Sequence, residues 1–460
     1  MSWIDWAIVI VPMACVLFLG CYSSRYIRGV ADFRAAGCVA AKANTNAPLN
    51  SEFDPNNYSG SDIERINSAL RDAGSSGGTV RIRKRQPAVQ HSSGNSIRTM
   101  EERSFWLIDS AIIVPGNVHL IIDNCTIKLS NTARDNMIRS ANCSLNCGTV
   151  EPLKNIRITG IGNAVLEGAD DPRATGDGAK PLGKPGFIPE GPVSYGSDAG
   201  KTDEYPKGDW RNFGILLVKV DGFSLEGLTI RDSHCWAVTL EYCTNGRVRD
   251  MQFYSGNGKT VNGNWELFRN QDGLDLRRGC RNILIENISG CTGDDLIALT
   301  ALPAKIRPAG ILSGGFMGGD ANVSDGDVYN ITIRNVRGYC SGGHHIVRFL
   351  NSGGIKIYNI ILDGVIDSSA KVGHNRATVK IGDSNPAWGG VTPLGDTYGF
   401  HISNIHSYSR QAILIAGSLQ DSTISNVLNF NPATNPITCE SGEQHVKNVL
   451  FSNLMNAKDK

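Results

Sequence analysis

The sequence predicts an all-β protein whose short strands coil into a parallel β-helix. Its 460 residues include 52 glycines and few long helical patterns, which is typical of a chain with many strands and tight turns. One pattern recurs, an asparagine or glycine followed by alternating apolar residues, at spacings that cluster at about 20–50 residues. The copies begin at Asn117, Asn155, Gly222, Gly246, Asn282, Asn330, Asn359, Gly399 and Asn448. Unequal spacing argues against a propeller and favours stacked coils about 4.8 Å apart.

Composition and charge narrow the functional classes. With 41% hydrophobic residues the chain can bury a large core, and 45 basic against 44 acidic residues leave a formal charge of +1. The chain has no large net positive charge that would attract nucleic acid, so we expect no nucleic-acid partner. The basic run at 81–85 alternates around Ile82 and is predicted to be a strand with one solvated face.

Residues 1–44 differ from the rest and are predicted to be a separate hydrophobic segment, either a membrane anchor or a fusion remnant. The apolar stretch 6–22 is close to the lower limit for a spanning helix, and Arg25 and Arg28 follow it rather than precede it. Under the positive-inside rule this order conflicts with an extracellular catalytic domain. Residues 1–35 resemble the first helix of sodium:solute symporters, but no second apolar run of spanning length follows.

The catalytic domain is predicted to cover residues 45–460 and to open with a short capping helix. Ser61 and Glu64 have the spacing of a capping box, and Ile63, Ile66 and Leu70 recur at helical spacing. Gly74 is expected to stop the helical pattern, near Gly77 and Gly78.

Three long interruptions break the repeat, at approximately 167–213, 301–327 and 383–397. Insertions of this kind usually project from one face of a solenoid and form the walls of a groove. Cys143 and Cys147 lie close enough in sequence to form a disulfide, whereas the other cysteines are predicted to be buried as small hydrophobic residues.

Two acidic segments lie about one coil apart. Residues 270–276 read Asn-Gln-Asp-Gly-Leu-Asp-Leu, and residues 292–295 read Thr-Gly-Asp-Asp. Asp272 and Asp294 are 22 residues apart, so adjacent coils should bring their side chains together, with Asp295 beside them. Like charges at such short range raise the pKa of one carboxyl, which then serves as a general acid while another carboxylate activates water. The alternative is that these aspartates only stabilise turns.

These motifs, together with the segment 232–238, resemble the polygalacturonase-type family 28 glycoside hydrolases over roughly residues 50–455. The resemblance implies a right-handed β-helix that inverts the anomeric carbon. It assigns proton donation to Asp294, water activation to Asp272 and Asp295, and a catalytic histidine to His344. It also implies substrate contacts from Asn270 and Lys380, with no metal or other cofactor.

The sequence departs from that family at two places. His345 stands where the family has glycine, and Thr378 stands where galacturonan-cleaving members have the arginine of an Arg-Ile-Lys strand. Because Thr378 and Lys380 share one face of their predicted strand, half of the expected cationic clamp for a sugar carboxylate is missing. Neutral, rhamnosyl or modified uronic sugars of a pectin-like polysaccharide or oligosaccharide are therefore open as substrates.

Two other functions are compatible with a β-helix. A polysaccharide lyase would use the acids to bind Ca²⁺, and a non-catalytic carbohydrate-binding β-helix would need no paired acids. For the enzyme we expect a monomer that works outside the cell, either free or attached to a membrane through residues 6–22, in keeping with a role in cell wall organization.

Overall fold

The computed structural model describes residues 51–87, 103–133, 135–143, 150–170, 214–261, 263–268, 270–302 and 326–457. The predicted N-terminal segment 1–44, Cys147 and most of the interruptions at 167–213 and 301–327 lie outside these residues. Within the described ranges, no helix has both the length and the apolar character needed to cross a membrane. Membrane attachment through residues 6–22 therefore stays a prediction.

Strands dominate the described chain. In chain order they are β1 (Glu52–Phe53), β2 (Thr79–Ile82), β3 (Trp106–Ile108), β4 (Ile112–Val114), β5 (His119–Asp123), β6 (Thr126–Leu129), β7 (Ile138–Ser140), β8 (Leu153–Ile161), β9 (Val165–Glu167), β10 (Ile215–Val218), β11 (Val220–Glu226), β12 (Thr229–Arg231), β13 (Val238–Glu241), β14 (Thr244–Tyr254), β15 (Gly258–Val261), β16 (Asn264–Leu267), β17 (Leu274–Leu276), β18 (Arg281–Thr292), β19 (Ile297–Ala301), β20 (Val328–Cys340), β21 (His345–Asn351), β22 (Ile357–Asp367), β23 (Ala377–Ile381), β24 (Thr397–Ser407), β25 (Gln411–Ile415), β26 (Leu419–Asn429), β27 (Ile437–Cys439) and β28 (Val446–Asn456). Short 3₁₀ turns lie at Pro55–Asn57, Pro386–Trp388 and Glu443–His445.

Two parallel sheets run the length of the stack. The first follows the order β1-β2-β5-β8-β11-β14-β18-β20-β22-β24-β26-β28, with β3, β6, β9 and β12 beside that path. The second follows β4-β7-β10-β13-β17-β19-β21-β23-β25-β27. Strands of successive coils thus pair with one another in each sheet, and β3, β6, β9 and β12 are second strands that some coils contribute to the first sheet. The predicted all-β class and parallel β-helix are confirmed.

Asparagines turn the chain within the long strands of the first sheet. In β18, Asn287 has a left-handed backbone (φ 57). Residues before it pair with the first part of β14, and residues after it pair with the second part. The Asn287 side chain donates to Asp250 Oδ1 at 2.9 Å and accepts from Asn335 at 3.2 Å. These ladders give the asparagines a structural role, since asparagine tolerates this backbone and its side chain hydrogen-bonds to the neighbouring coils.

Stacked apolar side chains fill the interior. In the first sheet Ile285, Ile333, Leu362, Ile402 and Ile424 are partners in successive coils. All five are at most 1% exposed. Burying each such side chain stabilises the fold by about 1.5–3 kcal/mol, so identical register in every coil is strongly favoured.

The predicted capping helix, α1 (Asp62–Ser76), begins with the expected capping box. The Ser61 side chain accepts from the Glu64 amide, and the Glu64 carboxylate accepts from the Ser61 amide at 2.7 Å. The helix ends close to the predicted position, near Gly77. It continues past Gly74 to Ser76 and stops at Gly77, whose left-handed backbone (φ 72) supplies the C-cap. A glycine inside a helix is unfavourable but does not by itself end it.

Helix α1 also covers the open edge of the second sheet. Asn67 on this helix donates to the Ala111 carbonyl at 3.0 Å and accepts from the Ile113 amide at 2.9 Å. One side-chain amide thereby replaces a neighbouring strand beside β4. Covering an edge in this way protects a solenoid from pairing with another chain.

Replacing Asn330 tests the contribution of the ladder. Its side chain donates to Asn282 and accepts from Asn359, and its backbone is left-handed (φ 55). We expect Asn330→Ala to lower the free energy of unfolding by about 2–3 kcal/mol, because it loses both hydrogen bonds and strains the backbone. Asn330→Gly loses the bonds but keeps the backbone freedom, so it should cost about 1 kcal/mol. Equal losses in denaturant unfolding would show that backbone strain has no part in the ladder.

Candidate active site

The candidate site lies where the chain enters the strands of the second sheet. Asp272 precedes β17, Asp294 and Asp295 precede β19, and His344 precedes β21, which begins at His345. Because β17, β19 and β21 are consecutive neighbours, these turns form one row along the stack. A cleft of ≈ 650 Å³ opens at this row and contains all five side chains.

The three acids meet as predicted. Single carboxylate oxygens of Asp272, Asp294 and Asp295 all lie within 4.8 Å of one another. The side chains of Asp272 and Asp295 are buried, whereas the Asp294 side chain is 18% exposed. Three carboxyls at this distance cannot all be ionised cheaply, so the cluster favours an unequal distribution of protons.

Asp272 carries the raised pKa of the group. Burial raises the pKa of Asp272 well above its usual range, and the neighbouring Asp275, Asp294 and Asp295 raise it further. Asp272 is therefore the carboxyl of the cluster that keeps a proton most readily. The resemblance assigns proton donation to Asp294 instead, and that role stays a prediction.

Asp295 is held as a carboxylate. Burial opposes its ionisation, but its pKa is nevertheless lowered by His345 and Arg348. One oxygen accepts from the His345 amide at 3.0 Å and lies 2.7 Å from His345 Nδ1. The other oxygen accepts from Arg348 Nη1 at 3.5 Å. The cluster thus combines a carboxyl of raised pKa with one of lowered pKa, the usual arrangement of an acid and a base pair.

Two adjacent histidines have different roles. His344 is half exposed, and its Nδ1 lies 3.4 Å from the Asp294 carboxylate, so the predicted residue does face the cluster. His345, which sequence analysis treated only as a departure from the family pattern, is buried and orients Asp295. Burial lowers the pKa of His345 to about 4, so the ring is neutral at pH 7 with Nδ1 donating to the carboxylate.

Cationic side chains line the cleft beyond the acids. Lys380 lies in the cleft as predicted, and its neighbour across the strands is Arg348. Thr378 does not face the cleft, since its hydroxyl lies 2.7 Å from Ser407 Oγ and 2.9 Å from Ser409 Oγ in a buried network. The cation beside Lys380 is therefore Arg348 of the preceding coil. The feature of the sequence that could have identified Arg348 is its position within an apolar strand, 32 residues before Lys380.

Aromatic side chains form parts of the wall. Trp236 lines the cleft with the Arg277 guanidinium 4.2 Å from its ring centroid. Trp388 lines another part, with Arg348 at 5.8 Å. Flat rings of this kind suit the apolar faces of sugars. Trp388 lies in the predicted interruption 383–397, which therefore does contribute to the groove.

Asn270 lines the cleft as well and has a left-handed backbone (φ 58). Its substrate contact stays a prediction.

The hairpin β15–β16, which was not predicted from the sequence, lies between Asn257 and Asn270, and both of these residues line the cleft. Its signal was the Asn-Gly pair at 262–263, the commonest short hairpin turn.

The neutral His345 makes stability depend on pH. Its folded pKa of about 4 lies below the ordinary value of 6.5, so the unfolded chain binds the extra proton between these two values. As far as His345 determines it, the free energy of unfolding therefore keeps its full value above about pH 6.5. It falls by up to about 3 kcal/mol as the pH is lowered towards 4.

In denaturant unfolding, the free energy of unfolding should fall more steeply from pH 6.5 to 4 in the wild type than in His345→Asn. The asparagine amide can still donate to Asp295 but does not titrate. Parallel curves for the two proteins would contradict a neutral buried His345.

Comparisons with known proteins find partial likeness in sequence. No protein-family model matches the chain. A probable rhamnogalacturonase B of Aspergillus terreus is 28% identical over 222 residues, which are 46% of this chain and 37% of the relative. The corresponding protein of Aspergillus niger is 26% identical over 198 residues, 42% of this chain and 31% of the relative. The matched region thus spans about a third of the length of these curated relatives.

Several solved structures resemble the whole described fold at low identity. A polygalacturonase from Erwinia carotovora is 15% identical, with 91% of this chain and 97% of that chain covered and a TM-score of 0.43. The tailspike protein of E. coli bacteriophage HK620, solved with a pentasaccharide, is 13% identical, with coverages of 92% and 66% and a TM-score of 0.49. At this level the likeness has no bearing on function. The chain is a parallel β-helix with partial sequence similarity to rhamnogalacturonases.

Proposed function

We propose that this protein is a glycoside hydrolase that cleaves O-glycosidic bonds of a pectin-like polysaccharide or oligosaccharide by acid/base catalysis. The observation that carries the proposal is the cluster of Asp272, Asp294 and Asp295, in which one carboxyl has a raised pKa and another a lowered pKa. Paired carboxyls in opposite protonation states are the chemical requirement for glycoside hydrolysis. The partial similarity to proteins named rhamnogalacturonases favours a pectic substrate.

Each acid has a proposed role. Asp294, the most exposed of the three, protonates the leaving glycosidic oxygen as its bond to the anomeric carbon breaks. Asp294 begins the cycle protonated, Asp295 accepts a proton from the attacking water, and Asp272 positions that water. Afterwards Asp295 returns its proton to the solvent and Asp294 regains one, so the cluster is restored. His344 is placed to assist Asp294, and His345 and Arg348 keep Asp295 ionised.

The stereochemistry is proposed to be inversion, as the family resemblance implies. The carboxylate oxygens within 4.8 Å of one another are closer than the separation of about 6.5–9.5 Å that usually leaves room for an attacking water. Proton NMR of the first product therefore provides a sharp test. We expect the anomer opposite to that of the substrate, and retention would mean that one of the aspartates attacks the sugar directly.

A calcium-dependent lyase is the second candidate, because the same three acids have the spacing of a metal site. The cations that could act as a base in β-elimination, Arg348 and Lys380, both bind Asp383. This pairing favours hydrolysis over elimination. A carbohydrate-binding protein without catalysis is the third candidate, and it would not require the buried acids.

The role of the acids is tested by Asp272→Asn, Asp294→Asn and Asp295→Asn. Each removes one carboxyl with little change in shape, and each should lower kcat by about 10²–10⁴-fold on pectic substrates. Asp250→Asn, in an asparagine ladder outside the cleft, is the matched control and should keep full activity.

The panel of substrates should include homogalacturonan and rhamnogalacturonan, with new reducing ends as the measure. If the reaction requires Ca²⁺ and yields an unsaturated product that absorbs in the ultraviolet, the protein is a lyase and not a hydrolase. Full activity in all three variants would contradict both enzymes.

Work outside the cell, a monomeric state and attachment to a membrane through residues 6–22 remain proposals alongside this function. Polymeric pectin lies outside cells, which favours the extracellular location.

A further inference from the structure

Beyond the acid cluster, the cleft contains a second charged unit made of Arg348, Lys380 and Asp383. Arg348 and Lys380 are opposite each other on β21 and β23. Both donate to the same oxygen of Asp383, Arg348 Nη2 at 2.8 Å and Lys380 Nζ at 2.6 Å. Two adjacent cations are the usual means of binding a sugar carboxylate, but here a carboxylate of the protein already occupies the position between them.

The backbone holds Asp383 firmly in this position. Gly382 turns the chain directly after β23 with a left-handed backbone (φ 73), and a side chain there would come within 2.4 Å of Gly417. The second oxygen of Asp383 accepts from the Asn385 amide at 3.0 Å. The Asp383 side chain is 7% exposed and Lys380 only 1%. Burial opposes the ionisation of Asp383, but Arg348 and Lys380 outweigh it and lower its pKa, so the internal carboxylate is charged.

Little cationic capacity remains for a ligand. Arg348 Nη1 points to Asp295 at 3.5 Å and Nη2 to Asp383, while the buried Nε has no hydrogen-bond partner among the described residues. The two positive charges of Arg348 and Lys380 are balanced by the carboxylates of Asp295 and Asp383, so the N–H donors that remain suit a neutral hydroxyl or ring oxygen rather than a carboxylate, which requires a positive charge. An incoming carboxylate would also meet the charge of Asp383.

We propose that Asp383 is a specificity-determining residue, an internal carboxylate that neutralises Arg348 and Lys380 and so makes this part of the cleft select a neutral sugar over a uronate. The proposal rests on the proposed function for its assignment of the cleft to sugars. Specificity of this kind arises from repulsion of the wrong ligand as much as from attraction of the right one.

Galactose and galacturonate provide the probes, because they differ only in a hydroxymethyl group and a carboxylate. Their binding to the full chain is measured by calorimetry or ligand-observed NMR, without turnover. The wild type should not prefer galacturonate. Asp383→Asn should bind galacturonate at least about tenfold more tightly than the wild type does, with galactose changed by less than about twofold. Added salt should reduce the gain, since charge attraction causes it.

Two further variants serve as controls. Asp383→Glu keeps the internal charge and should behave as the wild type. Adding Lys380→Met to Asp383→Asn removes one freed cation and should abolish the gain. Melting temperatures confirm that each variant is folded.

A wild type that already prefers galacturonate would overturn the proposal, as would a folded Asp383→Asn variant with no gain. Neither result depends on hydrolysis. Failure of the proposed function would appear separately, as unchanged cleavage in the three aspartate variants of the acid cluster.

Discussion

In-register stacking of the coils is the constraint on which the rest of this structure depends. Apolar side chains such as Ile285 and Ile333 lie directly above one another, and asparagine ladders keep the turns aligned. A slip of one residue would move every apolar side chain to the wrong face. The same register places residues far apart in sequence, such as Asp295 and His345, in direct contact. Core and site are therefore products of a single alignment.

The cleft is organised by the balance of its charges. Its charged lining residues include the acids Asp272, Asp294, Asp295 and Asp383 and the cations Arg348 and Lys380. The cations bind Asp295 and Asp383, whereas burial and the neighbouring carboxyls raise the pKa of Asp272. Chemistry and selectivity are coupled through Arg348, because it contacts both the acid cluster and the internal carboxylate.

Several features of the site followed from particular residues of the sequence. The 22-residue spacing of Asp272 and Asp294 matched one coil, so their proximity could be predicted. The presence of Thr378 in place of an arginine was visible too, but the position of Arg348 beside Lys380 was not. Arg348 lies 32 residues from Lys380, and coil lengths vary, so the sequence does not reveal which residues become partners.

By itself, the sequence determined the all-β class, the coiled repeat, the capping box at Ser61 and the meeting of three acids, because these depend on local periodicity and turn chemistry. Only the tertiary structure decided which acid keeps a proton, that His345 is buried and neutral, and that Asp383 occupies the space between two cations. Protonation and pairing depend on burial and on distances between side chains of different coils. These quantities exist only once the coils have stacked.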